Sequence, residues 1–302
     1  MKKVIITGAT GFIGGALSKK LMSQGITVYG VDINEERLEA MKQYGDFVPV
    51  VADFTMYNKL DALIDERNFD CFVHVAWAGS LGGVDLYNHT LQNNNTESAC
   101  IACDKAVSLG VKRFVFCSSS YSEMISTESD YPINYYGISK KAAAAFCMAI
   151  CKKNNIECNI ATLTNTYGKG DVSSKAVNTF VNKLVNNEKL ILIDGDKPND
   201  WVYIDDTVNG IIAVMSSPRS FQNYYIGHNE ITTFREKLLI MKETLDSTSE
   251  LQFGKYIDST YVDYSRLDAR SIKEDTGFEC SVDFRESIRL TAKWLATRSD
   301  KR

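Results

Sequence analysis

The chain has 302 residues, 44% hydrophobic and 24% charged, with a formal net charge of −4 at neutral pH. That balance excludes disorder as the main state, and the mild acidity leaves no basic footprint for nucleic acid or an anionic lipid surface. No stretch approaches the ~20 apolar residues of a membrane-spanning helix. The apolar run after Lys2 and Lys3 stops at Gly8, too soon for a secretory leader, so a cytoplasmic protein is expected.

Short apolar runs at 4–7, 27–31, 47–51, 71–76, 113–117 and 158–163 are too brief and too β-branched or aromatic for helices. Between them lie helical patterns at 13–23, 35–44, 57–65 and 95–109, followed by another at 136–152. Strand alternating with helix predicts an α/β fold, a doubly wound parallel Rossmann sheet. Strands buried on both faces explain why these runs do not alternate with polar residues. Beyond residue 165 the rhythm loosens. Helical patterns at 174–186, 206–215, 235–246 and 284–296 are separated by strand-like pieces at 190–193, 201–204 and 224–227. The expected organisation is a nucleotide-binding domain over 1–165 and a smaller α+β substrate region over 166–302, partly interleaved with it.

The first turn carries the first chemical signal. Thr7-Gly8-Ala9-Thr10-Gly11-Phe12-Ile13-Gly14 sits between a predicted strand and helix. Gly8 permits a tight turn, Gly11 lets backbone approach a pyrophosphate, and Gly14 lets helix and strand pack closely. The helix start, with Phe12 and Ile13, then offers free N–H groups to phosphate charge. Asp32 follows 18 residues after Gly14, near the spacing of an acid that binds ribose hydroxyls. Its charge repels a 2′-phosphate, so NAD is expected over NADP. After the third strand, Asp53, with Phe54 beside it, either approaches an adenine amino group or caps the helix that follows; the residues alone leave both readings open.

A second signal lies at Tyr136-Gly137-Ile138-Ser139-Lys140, where positions i and i+4 share a helix face. A Tyr has an unperturbed pKa of ~10, and a nearby ammonium favours the phenolate that can serve as a base. Ser118-Ser119-Ser120, at the end of the fifth strand, offers hydroxyls for the reacting oxygen. The eight cysteines read as reduced thiols. Cys100 and Cys103 lack a second pair at zinc spacing and the three histidines are scattered, so no metal site is expected.

These residues together resemble the extended short-chain dehydrogenase/reductase family, over nearly the whole chain. The resemblance implies cofactor-binding roles for the glycine turn, Asp32 and Asp53. It extends these roles to Ala76 and Trp77 in Val73-His74-Val75-Ala76-Trp77 and to Asn95 as a buttress of the site. It implies Ser119, Tyr136 and Lys140 as catalytic residues, and places Ser120, Asn165 of Asn165-Thr166-Tyr167-Gly168, and Asn199 beside the substrate. Three departures stand out. Ser120-Tyr121 replaces the Asp-Glu pair of 4,6-dehydratases, Asn199 and Thr162 stand where arginines are frequent, and Ser122-Glu123-Met124 replaces V-Y-G. Lys169, Lys175 and Lys197 are possible diphosphate substitutes, each more simply read as a solvated lysine.

The leading expectation is an NAD-dependent epimerase of a nucleotide-activated sugar, working by transient oxidation of a hydroxyl with Tyr136 as general base. A sugar ketoreductase or dehydrogenase is the alternative. A dehydratase and a non-enzymatic NAD sensor fit the residues less well. The patterns 95–109 and 136–152 carry more apolar surface than one core face needs, which predicts a homodimer through these two helices.

Overall fold

Val4 and Ile6 point to one face of the first strand and Ile5 to the other, and all three are fully buried in two separate apolar cores. That arrangement requires helices on both sides of the sheet. The computed structural model describes residues 1–79, 83–124, 134–256 and 262–299. In chain order the first half comprises β1 (Lys3–Thr7), α1 (Phe12–Ser23), β2 (Thr27–Asp32), α2 (Glu35–Met41), β3 (Phe47–Val51), α3 (Leu60–Leu63), β4 (Cys71–His74), α4 (His89–Ser108), β5 (Arg113–Ser119), α5 (Tyr135–Lys153) and β6 (Glu157–Leu163). The second half comprises β7 (Asn165–Tyr167), α6 (Ala176–Val185), β8 (Leu190–Ile191), β9 (Trp201–Tyr203), α7 (Ile204–Ser216), β10 (Gln222–Ile226), α8 (Phe234–Thr244), β11 (Leu251–Gln252), α9 (Arg270–Thr276) and α10 (Phe284–Ser299).

Seven strands form one parallel sheet in the order β10-β6-β5-β4-β1-β2-β3. This is the doubly wound α/β sheet the alternation predicts. The chain reverses its direction of winding between β1 and β4, so a crevice opens at their carboxyl ends, where such folds bind ligands. Leu17 and Leu21 of α1 and Val208 and Ile211 of α7 cover one face. Ala99 and Ala102 of α4 with Ala143 and Cys147 of α5 cover the other. Cys103 and Cys151 are buried in the same core, filling it as small apolar groups. The edge strand β10 comes from far along the chain, and β7–β9 and β8–β11 form two small parallel pairs beside the sheet.

The structure shifts several predicted boundaries. α4 starts at His89 rather than residue 95, because the Asn88 side chain caps Leu91 N–H and a polar first turn forms without apolar periodicity. The helix expected over 57–65 is a 3-10 segment, Phe54–Lys59, followed by the single turn of α3. β4 ends at His74, because the Thr7 hydroxyl accepts from Val75 N–H and Ala76 N–H at 3.2 and 3.3 Å. β5 extends through Ser119, so Ser118 and Ser119 lie within the strand.

Candidate active site

Gly8 closes the first turn with φ of +67°, and its N–H donates to Val31 O at 2.9 Å. A Cβ on Gly8 would sit 3.0 Å from the Ala76 backbone, and one on Gly14 would overlap the Gly8 carbonyl oxygen. The turn therefore presses β1, α1 and the end of β4 together without side chains. Gly11 precedes α1 with no side-chain cap and no acid in the first turn. The N–H groups of that turn are left for an anion. Asp32 holds the turn from the next strand: Oδ2 accepts from Thr10 N–H at 2.9 Å and Oδ1 from Ile33 N–H at 2.8 Å. An ionised carboxylate has about four acceptor sites, so both oxygens keep capacity for ribose hydroxyls.

A cavity of 440 Å³ runs along this turn, lined by Gly8, Gly11, Phe12, Ile13, Gly14, Asp32, Phe54, Ala76 and Trp77. A glycine cradle that a Cβ would fill, an uncapped helix start and a carboxylate at the far end together suit a dinucleotide. Asp53 does not line the cavity, although its neighbours Ala52 and Phe54 do. Its carboxylate caps the 3-10 turn, accepting from Thr55 N–H at 2.8 Å, Thr55 Oγ1–H at 2.6 Å and Met56 N–H at 3.2 Å. Of the two readings left open, the capping one describes this geometry. Asn95 is also outside the cavity wall. Its amide brackets Ala78, accepting from N–H and donating to O, each at 2.9 Å. Gln92 accepts from Trp77 Nε1–H at 2.8 Å. α4 thus fixes the segment that carries Ala76 and Trp77.

The cavity continues into a smaller one of 120 Å³, with Phe12, Ile13, Val75, Trp77 and Lys175 common to both walls. Here Ser119, at the end of β5, meets Tyr136 and Lys140 of α5. The Asn134 side chain starts that helix by accepting from Gly137 N–H at 2.7 Å. Lys140 is 3% exposed; its Nζ donates to Cys117 O at 2.7 Å and lies 3.9 Å from the centre of the Trp77 ring. Burial pulls the Lys140 pKa down to about 7. Withdrawal from water pushes the Tyr136 phenol up to about 12, with a hydrogen bond from Ser119 opposing it. This geometry does not show the expected phenolate-favouring effect of Lys140, because burial dominates both groups and the ammonium is turned to a carbonyl. Trp77 and Tyr121 meet the Tyr136 ring edge-on at 6.2 and 6.1 Å.

Ser120 is buried, Asn165 donates from Nδ2 to Tyr264 Oη at 3.2 Å, and Asn199 donates its backbone N–H to Thr232 O. None of the three lines either cavity. Asn199 Oδ1 is buried with no partner among the described residues. Lys175, which the sequence presents as one surface lysine among many, reaches the junction of the two cavities. Among the described residues it is, apart from Lys140, the one cationic side chain lining either of them. Thr164 and Thr166 join the wall from the segment after β6. No local spacing marks these residues.

Residues 4–227 match the model of the NAD dependent epimerase/dehydratase family. The chain is 26% identical to CDP-abequose synthase of Yersinia pseudotuberculosis over 262 residues, covering 84% of this chain and 88% of that protein. It is also 26% identical to GDP-mannose 3,5-epimerase of Arabidopsis thaliana over 322 residues, 99% of this chain and 83% of the relative. Among solved structures it superposes on a dTDP-glucose 4,6-dehydratase from Streptomyces venezuelae with NAD bound. The TM-score is 0.82 and the identity 22%, over 99% of this chain and 98% of that one.

Proposed function

The chain belongs to the NAD dependent epimerase/dehydratase family, and from that premise we propose that it is an epimerase of a nucleotide-activated sugar, working by transient oxidation of one hydroxyl. The observation that carries this reading is the joining of a dinucleotide-shaped groove to a pocket holding Ser119, Tyr136 and Lys140. The glycine turn and Asp32 would hold NAD, which when bound would supply a hydride acceptor and donor.

Tyr136 takes the proton of the hydroxyl on that carbon and returns it at the end of the cycle. Ser119 donates to the same oxygen and fixes it against the phenol. For this the Tyr136 pKa must fall from about 12, and positive charge beside the phenol lowers it. Lys140, near its own midpoint at neutral pH and with Nζ 6.0 Å from the centre of the Tyr136 ring, would supply that charge. Lys175 gives the diphosphate a counter-charge at the junction. The position after Ser119 holds no acid: Ser120 is buried and Tyr121 lies against Tyr136. Glu123 is tied to Ser122 Oγ–H at 3.0 Å and Asn223 Nδ2–H at 3.2 Å. Elimination of water therefore has no dedicated proton donor there, which favours epimerisation over dehydration.

Gel-filtered protein, denatured and assayed by mass spectrometry, is expected to release NAD at close to one per chain, with NADP absent. Protein that elutes empty and consumes external NADH with a keto sugar would instead be a reductase.

The same reading includes a homodimer. α5 leaves Phe146 55% exposed and Ile138 41% exposed on the face turned away from the sheet. A second copy of α4 and α5 is the proposed cover for that face. Light scattering at micromolar concentration is expected to give twice the chain mass; a monomer there removes the dimer from the account.

A further inference from the structure

Asp206, His228 and Cys280 are separated by 22 and 52 positions in the chain, yet the fold brings one ligand atom of each within 4.8 Å of the others. Asp206 lies in the first turn of α7, His228 just after β10, and Cys280 between α9 and α10. Asp206 is 1% exposed. Its Oδ2 accepts from Ser281 N–H at 3.0 Å and Val282 N–H at 2.9 Å. Its other oxygen, Oδ1, is buried with no partner among the described residues. An unpaired carboxylate oxygen taken out of water costs free energy unless something positive meets it.

The histidine beside it is already prepared as a ligand. Asp200, fully buried, accepts from His228 Nδ1–H at 2.7 Å and from His228 N–H at 2.9 Å. Tyr225 Oη–H donates to the same carboxylate at 2.6 Å and holds it in place. A carboxylate that fixes one ring nitrogen leaves the other as a lone-pair donor, as in carboxylate–histidine–metal sites. Cys280 adds a free thiol.

We propose that Asp206, His228 and Cys280 bind one divalent cation of the zinc class, with Asp200 as the residue that orients His228. The donor set is one oxygen, one nitrogen and one sulfur. That mixture suits zinc or cobalt and not magnesium or calcium, which take oxygen ligands. As the metal–sulfur bond forms, the thiol gives its proton to solvent. His228, whose side chain is 30% exposed, leaves room for water as the fourth ligand. The ion clamps the start of α7, the end of β10 and the segment before α10 to one point.

The test uses the full chain with its bound cofactor, stripped of metal and titrated with Co²⁺ and then Zn²⁺. The expected result is one saturable Co²⁺ per chain, with the visible absorption of a tetrahedral thiolate complex, displaced by Zn²⁺. At a hundredfold excess over Kd, Zn²⁺ should raise the melting temperature by roughly 5 °C, while Mg²⁺ leaves it unchanged. Cys280→Ser should abolish the thiolate band and weaken binding at least tenfold, and His228→Gln should weaken it similarly. Cys100→Ser, on α4, should change neither. Absence of saturable Co²⁺ binding in the wild type at micromolar concentration would overturn the site. So would binding that survives both Cys280→Ser and His228→Gln, or that is lost in Cys100→Ser.

Discussion

The glycine turn and the cluster around Asp200 are built on opposite plans. The turn draws its parts from the first 32 residues, and the side chains it lacks matter more than those it has. The Asp200 cluster joins side chains 25 and 28 positions apart, and Asp206 beside it bonds backbone 75 positions away. The first region is open and polarised toward a ligand. It includes a lysine whose charged form burial disfavours, a cost that the proposed proton transfer would account for. In the second, the fully buried Asp200 carboxylate accepts three hydrogen bonds from Tyr225 and His228. Burial of the Lys140 charge opposes folding, whereas the bonds to Asp200 support it.

Substitutions can break that contrast. Asp200→Ala strands the Tyr225 hydroxyl and the His228 ring, and it should lower unfolding free energy by about 2–4 kcal/mol, read from denaturant midpoints, at ~1–3 kcal/mol for each buried donor left unpaired. A loss below 1 kcal/mol would show that the cluster is not a source of stability. Lys140→Met should act in the opposite sense, stabilising the cofactor-free protein by about 2–3 kcal/mol at pH 6 while ending turnover. The sign follows from the depressed pKa. Below about pH 7 the native site must hold the buried charge. Between pH 7 and ~10.5 it releases the proton while the unfolded chain keeps it, so wild-type stability rises with pH in that window. The gap between variant and wild type should narrow there; a gap that is constant with pH contradicts the assignment.

Smaller effects test the ligand side of the comparison. Gly14→Ala forces a Cβ onto the Gly8 carbonyl and should weaken NAD binding by roughly ten- to a hundredfold, about 1–3 kcal/mol, by calorimetry. Asp32→Ala should narrow the preference for NAD over NADP by about tenfold, or 1.4 kcal/mol. Equal dissociation constants for the two cofactors in the wild type would remove Asp32 as the selector.

The same contrast explains what could be read from the residues. Gly8, Gly11, Gly14 and Asp32 are legible because a strand, a turn and a helix follow one another without interruption, so sequence spacing is spatial spacing. Tyr136 and Lys140 are legible because a helix fixes i and i+4 on one side. Asp53 was not resolved by such rules, since capping and adenine contact need the same residue at the same place. The start of α4 was hidden by a polar first turn held by Asn88. Lys175 and the Asp206–His228–Cys280 cluster have no local pattern, because long connections and tertiary packing alone decide where they meet. The effect of Lys140 on the phenol is not legible for a related reason: helix spacing places it beside Tyr136, but the Trp77 ring and the Cys117 carbonyl that surround it come from the segment after β4 and from β5.

In the proposed mechanism Tyr136 moves the proton in a redox cycle that closes on itself. The direct measurement is turnover of a panel of nucleotide-linked sugars, followed by NMR without added cofactor, for the wild type and for Tyr136→Phe. Conversion of one sugar to its epimer with no net change in nicotinamide absorbance is expected. A loss of ~10²–10⁴-fold in kcat is also expected for Tyr136→Phe, at unchanged NAD content. Conversion that requires stoichiometric NADH, or a Tyr136→Phe variant that keeps more than about a tenth of wild-type kcat, would contradict the mechanism.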